Sequence, residues 1–190
     1  MRAHGGHKPA DMPTAYGANN HGSIIEIGDD WYIFYHRQTL NSWYSRQGCA
    51  EKIEFAPDGS IKQVEITSCG LNGGPLRDTE CYPAYIACNL FTKEPSPYVG
   101  VPNVPYIMQE GKDGDEVNGF VNDITDSATM GFKYFDCKDV KGVRITARGY
   151  AGGEFEVRTK IDGEPLGKVK IDFTNVWTEY DCKADIRRIE

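Results

Sequence analysis

Two side chains in the first quarter of the chain are suited to contacting a ligand. His21 follows Asn19 and Asn20, just before a run of apolar residues. A histidine in such a loop either hydrogen-bonds to the backbone or faces a ligand, and the residue type allows both. Arg46 precedes a later apolar run, and its guanidinium could hydrogen-bond a hydroxyl group or hold a carboxylate in its charged form. A plain surface arginine is the alternative interpretation.

Acidic side chains surround these two residues, but their positions favour structural roles. General acid–base catalysis needs carboxyl groups that are held at the reacting bond and have suitably tuned pKa values. The candidates in this part of the chain fall on short strands and turns, where we expect solvated faces and turn formers: Glu26, Asp29, Asp30, Glu51, Glu54 and Asp58. The sequence therefore predicts no catalytic acid or base in this chain.

The elements that position His21 and Arg46 are predicted to be short antiparallel strands. Asp58-Gly59 between alternating apolar runs is a strong hairpin signal. The predicted strands cover residues 23–27, 31–36, 49–55 and 61–67. Four such strands in about 45 residues are typical of one blade of a β-propeller.

The rest of the chain divides into a proline-rich stretch and a second β region. Residues 93–105 contain four prolines and little to bury, which indicates a linker. From residue 106 onward, strand-like runs recur about every ten residues, as in a sandwich or jelly roll. We therefore predict an all-β chain with domains at 1–92 and 106–190.

Composition restricts the ligands. The chain has 190 residues and a formal net charge of −7, which argues against nucleic acid and is compatible with neutral ligands. It has no apolar run of the roughly 18–20 residues that span a membrane, so no membrane partner is predicted. Residues 1–17 lack the apolar core of a signal peptide, so we expect an intracellular protein or a signal on an upstream piece.

The six cysteines leave two interpretations open. None forms a Cys-x-x-Cys pair, so a structural zinc site is not expected. An even number permits disulfides, and Cys137 and Cys182 could bridge neighbouring strands. Buried thiols that pack as small apolar side chains are the alternative.

Residues 17–92 resemble the last blade and tail of family 43 glycoside hydrolases. The resemblance rests on Asn20-His21-Gly22-Ser23, on residues 31–37, on Asp58-Gly59-Ser60-Ile61 and on residues 67–71. Those enzymes are five-bladed β-propellers that remove arabinose and xylose units, with their catalytic carboxylates on earlier blades. The resemblance implies that His21 faces a central channel near a bound calcium, and that Arg46 reaches the substrate pocket.

Residues 106–190 resemble a family 6 carbohydrate-binding module, a jelly-roll β-sandwich. The matching segments are Gln109-Glu110-Gly111, Gly119-Phe120-Val121 and residues 131–135, 143–149 and 176–178. The family pattern extends beyond residue 190, so we expect a sandwich that lacks its last strand.

The module resemblance also implies roles for four side chains. Phe120 and Trp177 would clamp a sugar ring, Glu116 would bond a hydroxyl group, and Glu110 would help to hold a structural calcium. The alternative is that Phe120 and Trp177 are ordinary core aromatics.

Together the two resemblances imply part of a modular glycoside hydrolase that acts on arabinoxylan or a similar hemicellulose. The parent would be an inverting α-L-arabinofuranosidase or β-xylosidase, secreted or periplasmic, and the rest of that enzyme would be a partner of this chain. Without catalytic carboxylates, the chain alone is expected to be inactive. The alternatives are a non-catalytic carbohydrate-binding protein and a gene remnant.

Overall fold

The computed structural model describes residues 21–40, 42, 44–93, 104–111, 118–138 and 140–186. In these ranges the regular structure consists of strands and two single 3₁₀ turns, Gly70–Asn72 and Ala84–Ile86, so the all-β prediction is confirmed. The strands are β1 Ser23–Ile27, β2 Asp30–Gln38, β3 Arg46–Ile53, β4 Leu76–Arg77, β5 Asn89–Phe91, β6 Tyr106–Glu110, β7 Asn118–Asn122, β8 Thr129–Gly131, β9 Phe135–Asp136, β10 Val140–Gly149, β11 Gly153–Val157, β12 Gly167–Ile171 and β13 Thr174–Ile186.

The first three strands form one antiparallel sheet in the order β1-β2-β3. Gly28 takes the positive φ that the tight β1–β2 turn requires, 64°. Strand β1 lies at one edge and is exposed along its whole length, whereas Tyr32 of β2 and Ala50 and Ile53 of β3 are buried. The two predicted strands at 23–27 and 31–36 are confirmed.

The fourth strand predicted for this sheet, residues 61–67, is wrong. Phe55 and Ile61 form only an isolated antiparallel bridge, and the backbone leaves the sheet after Lys62, whose N–H bonds the Glu54 carbonyl at 2.9 Å. At the far end of this segment, the N–H of Thr67 donates to a carboxylate oxygen of Glu51 instead of to a strand carbonyl. A side chain thus takes the place of the ladder bond.

The chain separates into two compact units. The first comprises Met1–Leu76 and Cys81–Tyr134, and the second Arg77–Glu80 and Phe135–Glu190. In the first unit, β6 pairs with β7 and β5 with β8. The N–H of Leu40 bonds the Ile107 carbonyl at 2.8 Å, so the β6–β7 hairpin is held against the loop that follows β2. Residues 94–103 of the expected linker lie outside the described ranges, and the domain division stays a prediction.

The second unit is built on the long pair β10–β13, with β11–β12 as an accompanying hairpin. Ile171, Cys182 and Ala184 are its buried apolar residues. Along the exposed face the strands are joined by ion pairs, such as Arg144 Nε to Asp181 Oδ1 at 2.7 Å. Its strands follow the rhythm that the sequence predicts, and its assignment as a jelly roll stays a prediction.

All six cysteines are free thiols in this structure, including Cys137 and Cys182. Cys69, Cys88 and Cys182 are buried. The thiol of Cys88 donates to the Gly131 carbonyl at 3.4 Å, so it packs against β8 as a small weakly polar side chain.

Among the described residues, no helix has the length and apolar character needed to cross a membrane.

Candidate functional site

A cleft of about 260 Å³ lies in the first unit, beside the start of β3. Arg46, the substrate-binding candidate, is on its wall, next to Gln47. The other residues that line it are Thr39, Tyr85, Ile107, Met108, Gln109 and Gly119. The cleft thus combines a cation, amides and a hydroxyl with apolar surface, which suits a small hydroxyl-rich molecule.

One wall of the cleft is held by the half-buried guanidinium of Arg37. Its Nε donates to Gln47 Oε1 at 2.8 Å, and its two terminal nitrogens donate to the carbonyls of Tyr85 and Ala87. Burial lowers the pKa of Arg37, although a guanidinium keeps its charge in proteins. Arg37 therefore ties the Ala84–Ile86 turn to the sheet and positions Tyr85 at the cleft.

The position of the Tyr85 ring at the cleft also depends on a glycine. A Cβ added to Gly119 would lie 2.4 Å from Cδ1 of Tyr85, closer than any side chain tolerates. The Tyr85 ring therefore packs directly on the backbone of β7, and only glycine permits this approach.

A second buried polar cluster forms around Glu51, which is only 4% exposed. The N–H and the hydroxyl of Thr67 donate to its two oxygens, both at 2.7 Å, and the hydroxyl of Tyr35 donates to Oε1 at 3.1 Å. Burial, followed by nearby Cys49 and Glu51, raises the pKa of Tyr35 well above its usual range. Burial also raises the pKa of the Cys49 thiol.

The expectation that Glu51 lies on a solvated face is therefore wrong. Ile33 pairs with Glu51 and Tyr35 with Cys49, which places Tyr35 and Glu51 as diagonal neighbours on one face of the sheet. That face is covered by the 67–69 segment, which the sequence pattern predicted as a strand and loop. The carboxylate stabilises the fold by capping this segment.

The two residues predicted to help bind calcium are His21 and Glu110, and neither lies in a described cluster of possible metal ligands. The imidazole of His21, which precedes β1, meets that of His36 on β2 edge to face, with ring centroids 4.9 Å apart. Glu110 is exposed at the end of β6. Within the described ranges no three His, Cys, Asp or Glu residues gather as a metal site.

These residues do not by themselves fit a calcium ion. Calcium takes six to eight oxygen ligands, and a carboxylate such as Glu110 supplies two at most. The predicted calcium therefore stays a prediction.

Of the three residues predicted to contact sugar in the module, two are described. Phe120 is half-buried on β7 in the first unit, Trp177 is on β13 in the second, and Glu116 lies outside the described residues. The guanidinium carbon of Arg148 lies 4.6 Å from the centroid of the Trp177 ring, a cation–π distance. The clamp formed by Phe120 and Trp177 stays a prediction.

The sequence interpretation missed Tyr150 and Phe173, which are among the most exposed large rings of the second unit, at 81% and 65%. The available signal was an aromatic residue in the glycine-rich turn Gly149-Tyr150-Ala151-Gly152-Gly153. A large ring in such a turn has no core to fill and calls for another explanation.

Two curated relatives match nearly the whole chain. A xylosidase/arabinosidase of Thermoclostridium stercorarium is 54% identical over 186 residues, 95% of this chain and 39% of that protein. An arabinoxylan arabinofuranohydrolase of Paenibacillus polymyxa is 24% identical over 179 residues, 87% of this chain and 26% of that protein. The chain thus spans well under half the length of these relatives. No protein-family profile matches it.

Proposed function

We propose that this chain is part of a glycoside hydrolase that removes α-L-arabinofuranosyl or β-D-xylosyl units from arabinoxylan with inversion. The observation that carries the proposal is the 54% identity to a xylosidase/arabinosidase, which extends over 95% of the chain. One relative therefore matches both the residues that resemble a propeller blade and those that resemble a binding module. The two parts belong together as one enzyme segment.

In this proposal the chain contributes binding and support. Inverting hydrolysis needs a general acid and a general base on opposite sides of the bond, with room for a water molecule. We place those carboxylates on the remainder of the parent enzyme. The burial of Glu51 among Tyr35 and Thr67 supports this placement, because its oxygens are already bonded within the fold.

Arg46 is the proposed substrate contact of the blade-like part. It lines a cleft whose walls are fixed by Arg37 and Gly119, and a guanidinium donates well to sugar hydroxyl groups. The second part would bind the polysaccharide through Phe120, Trp177 and Glu116, and so raise the local concentration of substrate. A calcium near His21 and Glu110, and a secreted or periplasmic parent, complete the proposal.

A segment exchange tests the proposal. The 186 matching residues of the Thermoclostridium relative are replaced by this chain, and the chimera is assayed with aryl α-L-arabinofuranoside and aryl β-D-xyloside. We expect hydrolysis by the chimera and none by this chain alone. An Arg46→Ala chimera should show a raised KM, and Arg77→Ala, which lies outside the cleft, serves as its matched control.

Two outcomes would overturn the proposal. A chimera that is folded by circular dichroism but inactive on both glycosides would show that the chain does not complete such an enzyme. Turnover by this chain alone would show that it carries its own catalytic groups. An inactive chimera that still binds arabinoxylan would favour a carbohydrate-binding protein without catalysis.

A further inference from the structure

At one end of the second unit two turns lie side by side and present two aromatic rings. Tyr150 lies between β10 and β11, and Phe173 lies between β12 and β13. Their ring centroids are 6.0 Å apart and their planes are inclined by 60°. Both rings are largely exposed, so burial in a core does not explain them.

The backbone fixes this pair. Gly149 pairs with Thr174 beyond a register irregularity at the end of β10, which brings the two turns together. A Cβ at Gly152 would lie 3.0 Å from the Ile171 carbonyl oxygen, so the glycine permits a close approach of the turns. The pair is therefore built by the strand pairing and does not depend on the rings alone.

We propose that Tyr150 and Phe173 form a stacking platform for the pyranose rings of a xylan-type chain, separate from Phe120 and Trp177. This inference rests on the proposed function, because the relatives' names supply the polysaccharide class. The C–H faces of pyranose rings pack against aromatic rings, and the tyrosine hydroxyl adds a polar contact at the edge.

The chemistry around the rings suits a neutral glycan. Lys170 and Asp172 are paired with each other at 3.3 Å, so the neighbouring charges are balanced locally. Among the described residues of β13, the exposed large apolar side chains are Val176 and Trp177, close to the start of the strand. A standard protein interface engages about 20–30 residues on each side, and a patch of two rings is far smaller.

Trp177 differs from the platform residues in one respect. Its ring stacks with the Arg148 guanidinium and is only 39% exposed. A sugar at Trp177 must share the ring with this cation, whereas Tyr150 and Phe173 present far more of their surface. The structure therefore assigns the platform to the pair that the sequence interpretation passed over.

The test is affinity electrophoresis of the whole chain in gels with soluble arabinoxylan. We expect Tyr150→Ala and Phe173→Ala each to weaken retardation about tenfold, the scale of a contact residue that dominates binding. Tyr150→Phe should retain most of the binding, because the ring remains. Tyr44→Ala, which removes a ring that is 93% exposed in the other unit, is the matched control and should have no effect.

Each other outcome overturns the platform. If Trp177→Ala abolishes binding while the Tyr150 and Phe173 variants bind normally, the site lies elsewhere and the proposed function stands. If the folded chain is not retarded at all, the platform is wrong. The proposed function is then tested separately, by the hydrolysis assay of the chimera. If the variants abolish self-association in sedimentation without changing retardation, the patch is a protein contact.

Discussion

In the first unit the buried carboxylate of Glu51 and the half-buried guanidinium of Arg37 are hydrogen-bonded within the fold. In the second unit the charged side chains lie on the surface and pair across strands, as Lys168 does with Glu156 at 2.6 Å. Aromatic rings do not follow this division, because the first unit holds both buried and exposed ones, such as Tyr44 at 93% exposure. Tyr32 is buried in the first sheet, whereas Tyr150 and Phe173 are exposed on the second unit.

This contrast shows that residue type alone does not identify a functional side chain. A glutamate near a candidate pocket suggests catalysis, but Glu51 already accepts three hydrogen bonds from the chain and has a clear structural role. A phenylalanine does not suggest a function by its residue type. Phe173 is nevertheless a candidate, because it is exposed and has no structural role comparable to that of Glu51. A side chain becomes a functional candidate when folding does not account for its position.

The strongest test of the contrast is the removal of the buried carboxylate. Glu51→Ala leaves the N–H and hydroxyl of the half-buried Thr67 without their acceptor, so we expect a loss of about 2–3 kcal/mol in the free energy of unfolding. Urea unfolding at pH 7 measures it. Glu54→Ala, on the same segment but in an exposed pair with Lys62, should change little. If both variants lose the same free energy of unfolding, the buried position of Glu51 does not contribute to stability as we infer.

The next test concerns the guanidinium of Arg37. Arg37→Lys keeps the charge but loses the fork that reaches Gln47 and two carbonyls, so we expect a loss of about 1–2 kcal/mol. Arg77→Lys is the control, because Arg77 is exposed and its ion pair with Glu80 is long, 3.8 Å. Unfolding midpoints in urea compare the two. If both changes are neutral, the guanidinium does not hold the Tyr85 turn.

The smallest expected effect concerns Glu65, an exposed carboxylate of the first unit that contrasts with the buried Glu51. A hydrogen bond from Lys133, and a second from the hydroxyl of Tyr134 at 2.7 Å, lower the pKa of Glu65 below its ordinary value of 4.5. Stability from this group is therefore present above pH 4.5 and is lost as the pH falls through the lowered pKa.

Glu65→Gln should accordingly cost at most about 1 kcal/mol at neutral pH, since the pair is exposed. The difference from the wild type should vanish in acid. Thermal unfolding at several pH values measures it, with Glu26→Gln as the control for an exposed carboxylate elsewhere. A difference that grows towards low pH would contradict the assigned direction.

The sequence by itself determined most of the strands and the resemblance to glycoside hydrolases. Apolar runs on either side of Gly28 predicted β1 and β2, and the tight turn between them sets their register. Strand-like runs that recur about every ten residues identified most strands of the second unit, and the all-β class followed from both patterns. The resemblance to hydrolases of arabinose- and xylose-containing polysaccharides agrees with the names of both relatives.

The tertiary structure decided which side chains are engaged by the fold. Glu51 and Thr67 are 16 residues apart and Arg37 and Ala87 are 50 apart, so no local pattern reports their contact. The fourth predicted strand is absent for the same reason. The N–H of Thr67 donates to the Glu51 carboxylate, which is close to it only in the folded chain. Tyr150 and Phe173 likewise meet only because two turns pair across the second unit, and strand pairing over such separations is a property of the folded chain.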